Sequence, residues 1–455
     1  MERYRDDSNS HRMSGPRSLS SWILPFRLTA TTTGGLVLAT MLTSVSGFLF
    51  WWMAARQFPP HVVGFAGAAL SVMIVLSQVS ELGLGTKLAG LLHREERATS
   101  LALTALVASA LAGASLGLAF ALLAPVGFPE LAPLRATPLA LLLFACGVSV
   151  GAVASVLDQI LVSTFRNFHR LLRNAVFSFG RLGLLFIAAL IFPADAVVIY
   201  GVWVASMVAS MVVFALVAHE DRLIIRSGSL MWLRLAAMTR GALSHHALNL
   251  SRSSSIWLLP LIVLIVLSGE ANASFYVALL LSNFVALVGS SATFTLYVVA
   301  ARAPQLLWHQ LRFTLSLATA AAIVGTILLT VAGRQILGLF GQAYAASAYP
   351  TLVVLALSTL PLVVKDHWIA IQRVRGGVGT AAAIGFATLA LELTAAGVGA
   401  KVAGLEGLAV ARLVVLLAQA AAMAPAVTRA LIPTERPMPT ESVSPPASGR
   451  ADVAS

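Results

Sequence analysis

Long stretches of the chain carry no charged residue, and they limit what it can fold into. Residues 34–55 form one such stretch. About 20 apolar residues in a helix are enough to cross the ~30 Å hydrocarbon core of a bilayer. In lipid only helices and closed barrels satisfy all their backbone hydrogen bonds, and the chain lacks the alternating pattern of barrel strands. The sequence therefore predicts an all-α polytopic membrane protein.

The composition agrees with this class, because 58% of the residues are hydrophobic and only 11% are charged, with a mean hydropathy of +0.88. Soluble domains are about 25% charged. Counting apolar windows bounded by charge, Pro or Gly predicts about 12 transmembrane helices, at residues 30–55, 63–86, 99–125, 137–161, 173–193, 196–218, 243–267, 273–300, 312–332, 346–368, 378–400 and 405–430.

The positions of Lys and Arg predict the orientation, because cytoplasmic loops retain positive charge. With the N-terminus inside, 22 of the 30 basic residues fall in predicted cytoplasmic segments and four in predicted outside turns. The remaining four lie within spans. This bias predicts a multi-pass protein of the cytoplasmic membrane with both termini inside (N-in/C-in). The outside residues are Arg56, Arg135, Arg334 and Lys401.

Two short patterns recur at similar spacing, which indicates a duplicated chain. Gly64-Phe65 precedes Ser274-Phe275 by 210 residues, and Tyr200-Gly201 precedes Glu406-Gly407 by 206. An even number of helices per repeat makes the repeats parallel. We therefore expect two six-helix lobes joined by a linker and flanked by disordered polar tails: a tail at 1–27, lobes at 28–218 and 242–431, a linker at 219–241, and a second tail at 432–455.

Several function classes find no support in the sequence. The net charge is +12, but the basic residues form no stripe with interleaved aromatics, so we expect no nucleic-acid partner. The single Cys146 permits no intrachain disulfide, and no ligand spacing predicts a metal site or a cofactor. No phosphate-binding loop, dinucleotide fingerprint or nucleophile elbow is present, and we therefore expect a non-enzyme that ATP does not drive directly.

The seventh predicted span carries the leading candidate site. Ionisable groups within a span are expensive, so each is a functional hypothesis. Arg252 lies about ten residues, or ~15 Å, into that span. Asn249, Arg252 and Ser253 share one helix face by their spacing, and His245 precedes them on that face. This face could bind a phosphate group, and the alternative is that Arg252 only bonds neighbouring helices or extends toward the cytoplasm.

Other intramembrane charges allow two interpretations each. Arg181 either faces a cavity, as a second phosphate ligand, or extends to the interface. Glu392 and Arg412 lie at similar depth in neighbouring spans, which predicts either a structural ion pair or a carboxylate that couples transport to a cation. Lys365 and Asp366 are predicted to lie at a cytoplasmic helix end.

Three segments resemble a known family: residues 47–56 (GFLFWWMAAR) with 63–65 and 80–86 (SELGLGT), residues 337–344 (LGLFGQAY) with Tyr349-Pro350, and residues 404–412 (GLEGLAVAR). Together they resemble the bacterial oligosaccharide and O-antigen flippases, in the superfamily that also holds the multidrug and toxin extrusion transporters. The resemblance implies a V-shaped transporter whose central, often cationic cavity receives the headgroup of a polyprenyl-pyrophosphate-linked glycan.

Three functions remain open at this point. The first is a flippase that moves a lipid-linked oligosaccharide for cell-surface polysaccharide biosynthesis. Its partners would be that glycan substrate, membrane lipids, and the glycosyltransferases or polymerase of the same pathway. The second is a cation-coupled multidrug exporter, for which Glu392 is the deepest carboxylate. The third is a membrane glycan polymerase or ligase, which the short outer loops disfavour.

Overall fold

The structure is a computed structural model that describes residues 43–91, 98–164, 166–220, 230–239, 243–302 and 307–432. Every regular element in these ranges is helical, and no β-strand occurs in them. The predicted all-α class is therefore confirmed. By contact the chain divides into two compact units, Met1–His246 and Ala247–Ser455.

The first unit contains eight α-helices and a short 3-10 helix at Pro129–Arg135 in its described part. In chain order the α-helices are α1 (43–57), α2 (Pro60–Ser80), α3 (Leu84–Leu91), α4 (Ala98–Gly127), α5 (Pro138–Ser163), α6 (Asn167–Ile191), α7 (Ala196–Glu220) and α8 (Trp232–Thr239).

The second unit begins inside α9, whose first four residues belong to the first unit. Its helices are α9 (Leu243–Trp257), α10 (Leu259–Val266), α11 (Gly269–Arg302), α12 (Leu307–Gly338), α13 (Gln342–Ser347), α14 (Tyr349–Leu357), α15 (Thr359–Val374) and α16 (Val378–Ala430).

Nine helices within the described ranges are long and apolar enough to cross a membrane, with α14 and α15 counted as one. The pair α9 and α10 adds a tenth candidate that is bent by 40°. Pro260 is at the start of α10, where its missing N–H breaks the helical ladder. The first predicted span, 30–55, falls only in part within the described residues, as helix α1.

The longest helix, α16, is in fact a hairpin of two spans. Its 53 residues are interrupted at Gly404, which has φ 62° and ψ −144°. Glu392 Oε2 and Arg412 Nε lie 4.0 Å apart, whereas twenty residues of straight helix would separate them by ~30 Å. The two arms cross where Gly399 meets Gly407: a Cβ added to Gly399 would lie 2.3 Å from the Gly407 carbonyl oxygen. The predicted spans 378–400 and 405–430 correspond to the two arms.

Other boundaries differ from the predicted ones for local reasons. The predicted span 63–86 is α2, which begins at Pro60 and ends at Ser80. Proline suits the first helical position, and Leu82 and Gly83 then adopt left-handed φ angles of 53° and 70° that end the helix. Helix α6 starts at Asn167, six residues before the predicted 173.

The predicted linker, 219–241, contains helix α8, which packs on the first unit. Its Leu235 is buried with Leu84, Leu88 and Leu101 from helices α3 and α4. The tail at 1–27 lies outside the described residues, as does all of the tail at 432–455 except Ile432. The boundaries of lobes, linker and tails, and the parallel repeat, stay predictions.

Candidate functional site

Arg252 lies on α9 and is bound by a carboxylate of α15. Its Nε donates to Asp366 Oδ1 at 2.7 Å and its Nη2 donates to Oδ2 at 2.8 Å. A planar guanidinium matches a carboxylate in this two-point geometry. The Arg252 side chain remains 38% exposed, against 15% for Asp366. Arg252 therefore has a fixed orientation on a side chain that is only partly buried.

Asn249 and Ser253 lie beside Arg252 on α9, but they have different contacts. Asn249 Oδ1 accepts a hydrogen bond from Arg373 Nη2 at 2.5 Å, and the Arg373 guanidinium lies 5.7 Å from the ring centre of Tyr297. The Ser253 hydroxyl donates to the Asn249 carbonyl within the same helix at 3.0 Å. The predicted polar face is thus joined to α15 through Arg252 and Asn249. Arg373, which sequence reasoning placed only in a loop, adds a second cation there.

Arg181 is enclosed in the first unit, with 1% of its surface exposed. Its Nη2 donates to the Thr43 carbonyl at 2.8 Å and to Ser46 Oγ at 2.5 Å, both on α1. Its guanidinium also lies 4.7 Å from the ring centre of Trp203 and 4.8 Å from that of Phe177. These contacts join α1, α6 and α7, and they show a side chain held inside the helix packing. Arg181 and Arg252 belong to different compact units.

Glu392 is the centre of a buried charge cluster in the second unit, with none of its surface exposed. Its Oε1 accepts a hydrogen bond from Lys365 Nζ at 2.5 Å, and its Oε2 accepts one from the Ser255 hydroxyl. The Arg412 Nε is 4.0 Å from Oε2, and neither Nε nor Nη2 of Arg412 makes a hydrogen bond in the described part of the chain. Two cations therefore share one carboxylate.

Lys365 and Asp366 are not simple interface residues, contrary to the sequence-based expectation. Lys365 is 5% exposed and pairs with Glu392, and the adjacent Asp366 pairs with Arg252. The apolar run of the tenth predicted span is broken at Ser358, where α14 ends, and α15 then continues to Val374. This longer helix places Lys365 in its interior rather than near its end.

Glu81, after the end of α2, is a further buried carboxylate, 7% exposed. It accepts hydrogen bonds from Ser155 Oγ at 2.8 Å and from Gln159 Nε2, both on α5. A Cβ at Gly85 would lie 2.7 Å from the Gln159 side chain, so the glycine makes room for this contact. The signal available in the sequence was the spacing of Ser155 and Gln159, which are four residues apart and therefore share one face of α5.

No group of three or more His, Cys, Asp and Glu side chains that could hold a metal ion occurs in the part of the chain that the structure describes. The candidate site consists of paired charges: Arg252 with Asp366 near Arg373, and Lys365, Glu392 and Arg412 within the packed interior.

The comparisons with known proteins identify the fold. No family model and no curated protein matches the sequence. Among solved structures, an inward-facing multidrug resistance MATE family transporter of the MOP superfamily is similar with a TM-score of 0.65 and 15% identity, over 88% of this chain and 98% of the other. An outward-facing MATE transporter of that superfamily aligns with a TM-score of 0.60 and 15% identity, over 89% and 95%.

A third structure, of MATE in a bent conformation, has a TM-score of 0.58 and 15% identity, over 89% of this chain and 96% of the other. These similarities show that the chain is a polytopic helical protein with the MATE fold. At 15% identity they establish the fold alone, and the particular O-antigen flippase family is not confirmed by them.

Proposed function

We propose that this protein is a membrane transporter that exports organic compounds by alternating access, as a multidrug exporter of the cytoplasmic membrane. The observation that carries the proposal is the likeness of nearly the whole chain to MATE transporters in both inward-facing and outward-facing conformations. A fold that is found in both states is suited to exposing one binding site to each side in turn. Both termini are proposed to lie inside, from the distribution of basic residues.

The buried cluster around Glu392 supports an ion-coupled mechanism within this proposal. Charged side chains inside a membrane are costly and usually mark ion or substrate pathways. Glu392 already accepts hydrogen bonds from Lys365 and Ser255. A cation or proton would therefore have to compete with Lys365 for the carboxylate, so coupling through Glu392 requires that this ion pair opens during the cycle.

Drug export is tested by expressing the protein in a host that lacks its own multidrug exporters. The minimum inhibitory concentrations of several lipophilic cationic compounds are compared with those of the same host carrying the empty vector. We expect higher inhibitory concentrations, which fall to the control values when an ionophore collapses the membrane gradient. Unchanged susceptibility in cells whose membranes contain the full-length protein would count against the proposal.

A second candidate, favoured by the surroundings of Arg252, is a flippase for a lipid-linked oligosaccharide. Arg252 is 38% exposed and Arg373 lies nearby, while Asp366 is the carboxylate bound to Arg252. The group therefore carries an excess of positive charge, on a side chain that is not fully buried. Guanidinium groups bind phosphates in a two-point geometry, which suits a pyrophosphate headgroup. Glycosyltransferases and a polymerase of the same pathway would then be functional partners.

The flippase candidate is tested by complementation of a strain deleted for its own oligosaccharide flippase. Arg252→Gln alone would leave Asp366 unpaired, so the informative variant is Arg252→Gln/Asp366→Asn, which removes both charges together. If the phosphate is bound here, this variant loses glycan export at normal abundance in the membrane. Asp195→Asn, an exposed change in the first unit, is the control and keeps export. Full export by the double variant, or none by the unmodified protein, would rule this candidate out.

A further inference from the structure

Helix α8 packs on the first unit through its buried Leu235, and the residue just before the helix makes a hydrogen bond to α4. Leu235 is 5% exposed and packs in an apolar cluster with residues of α3, α4 and α5. Immediately before the helix, the Met231 N–H donates to Thr104 Oγ1 of α4 at 2.9 Å. The hydrogen bond to Thr104 fixes the position of α8 along the axis of α4, which is one of the candidate membrane spans.

That level corresponds to the boundary between hydrocarbon and headgroups. Helix α4 has 30 residues, which gives a length of ~45 Å against a hydrocarbon core of ~30 Å. If α4 is centred in the membrane, about 7 Å extends beyond the core at each end. Thr104 is six residues, or ~9 Å, from the first residue of α4. Helix α8 therefore lies close to the membrane interface.

The outward side of α8 is apolar, although the helix is too short to span a membrane. Leu233 is 90% exposed, Trp232 is 44% exposed, and Leu230 before the helix is 42% exposed. At 100° per residue, Leu233 lies about 200° around the helix from the buried Leu235, so it faces away from the unit. Arg234 lies between them, on the edge opposite Trp232. An exposed leucine beside a tryptophan and an arginine is the composition of an interfacial helix.

We propose that α8 is an interfacial anchor, which inserts Trp232 and Leu233 into the headgroup–acyl boundary of the phospholipid layer on the face of the membrane where α2 ends. Arg234 is then placed at the level of the headgroup phosphates. The apolar exposure of Leu233 is removed by lipid rather than by another protein. This site depends on the membrane insertion of the first unit and is independent of what the protein transports.

The single cysteine of the chain makes a site-specific test straightforward. In a Cys146→Ala background, Leu233→Cys or Arg234→Cys is labelled with the same polarity-sensitive fluorophore, and the full-length protein is placed in nanodiscs of phosphatidylcholine and phosphatidylglycerol. We expect a blue-shifted emission at position 233 that nitroxide-labelled lipid quenches and aqueous iodide does not. The label at position 234 is the matched control, and we expect aqueous iodide to quench it more strongly than nitroxide-labelled lipid does.

A second measurement needs no label. Lipids brominated near the headgroup should quench part of the intrinsic tryptophan fluorescence, and Trp232→Phe should reduce that quenched part. The proposal is overturned if iodide quenches the labels at 233 and 234 equally and nitroxide-labelled lipid quenches neither of them. It is also overturned if Trp232→Phe leaves the lipid quenching unchanged in a protein that elutes as a single species.

Discussion

The interior of the second unit contains a buried cluster of one acidic and two basic side chains. Glu392 has no exposed surface, and its partners are Lys365 at 2.5 Å and Arg412 at 4.0 Å. One carboxylate therefore compensates two cations, and the cluster has a net charge of +1. Removal of one partner from a buried pair leaves an uncompensated charge, which is strongly destabilising. The sign of the remaining charge should decide the order of stability among variants.

Glu392→Gln raises the cluster to a net charge of +2, whereas Lys365→Gln lowers it to zero and leaves Arg412 to pair with Glu392. We expect Glu392→Gln to lose about 3–5 kcal/mol of stability and Lys365→Gln to lose distinctly less. The thermal unfolding midpoints of both purified variants, measured in the same lipid nanodiscs, give the comparison. If Lys365→Gln is the less stable of the two, the account of this cluster is wrong.

Tyr344, in the short helix α13 outside the spans, has a buried hydroxyl that makes no hydrogen bond to any described residue. Burial raises its pKa to about 12, from an unfolded value of 10.0. The folded state therefore holds this proton above pH 10 while the unfolded state loses it, so stability falls between about pH 10 and 12.

We expect Tyr344→Phe to be at least as stable as the wild type near pH 7, because it removes a buried hydroxyl without a partner, and to lose less stability than the wild type from pH 9 to pH 11.5. Chemical denaturation across this range measures the difference. Tyr349→Phe, which removes a hydroxyl that donates to the Thr330 carbonyl at 2.7 Å, is the control that should already lose stability at pH 7. Parallel curves for wild type and Tyr344→Phe at all pH values would contradict the explanation.

At the scale of elements, the helical hairpin in α16 depends on close backbone approach. Gly404 has φ and ψ angles that side chains with a Cβ rarely adopt, and the arms touch at Gly399 and Gly407. A Cβ at Gly407 would lie 2.2 Å from the Gly399 carbonyl oxygen. The backbone cannot yield without separating the arms, and that movement would disturb the contact between Glu392 and Arg412.

Gly407→Ala is therefore expected to destabilise the second unit by about 1–3 kcal/mol or more through overpacking. Gly379→Ala is the matched control on the same helix, since its Cβ would meet nothing within 4 Å. The control should be neutral or gain up to about 1 kcal/mol, because alanine favours the helix. Equal unfolding midpoints for the two variants would show that the arms do not cross as described.

The helices also show which features of the fold could be predicted from the sequence. Charge-free windows predicted the spans because lipid requires long apolar helices, and the turn near Gly404 separated the last two. The ends of α2 depended on local backbone angles at Leu82 and Gly83, which no hydropathy window detects. The pairing of Lys365 with Glu392 joins residues 27 positions apart, and that of Arg252 with Asp366 joins residues 114 apart. Such contacts follow from tertiary packing and not from spacing.

At the scale of the whole molecule, the protein is a polytopic helical chain with the MATE fold and two compact units. The proposed export activity adds one requirement to this architecture: a solute must cross the membrane through the protein alone. The sequence has no nucleotide-binding motif, so the proposal expects this chain to need no nucleotide of its own. A membrane gradient is then the energy source that the proposal requires.

The most direct test is a transport measurement with purified protein in liposomes loaded with a fluorescent lipophilic cation. When a proton or sodium gradient is imposed, we expect efflux faster than from protein-free liposomes, and an ionophore that collapses the gradient should abolish the difference. Efflux equal to that of protein-free liposomes under both gradients, from protein that is folded and correctly inserted, would contradict the proposed multidrug export.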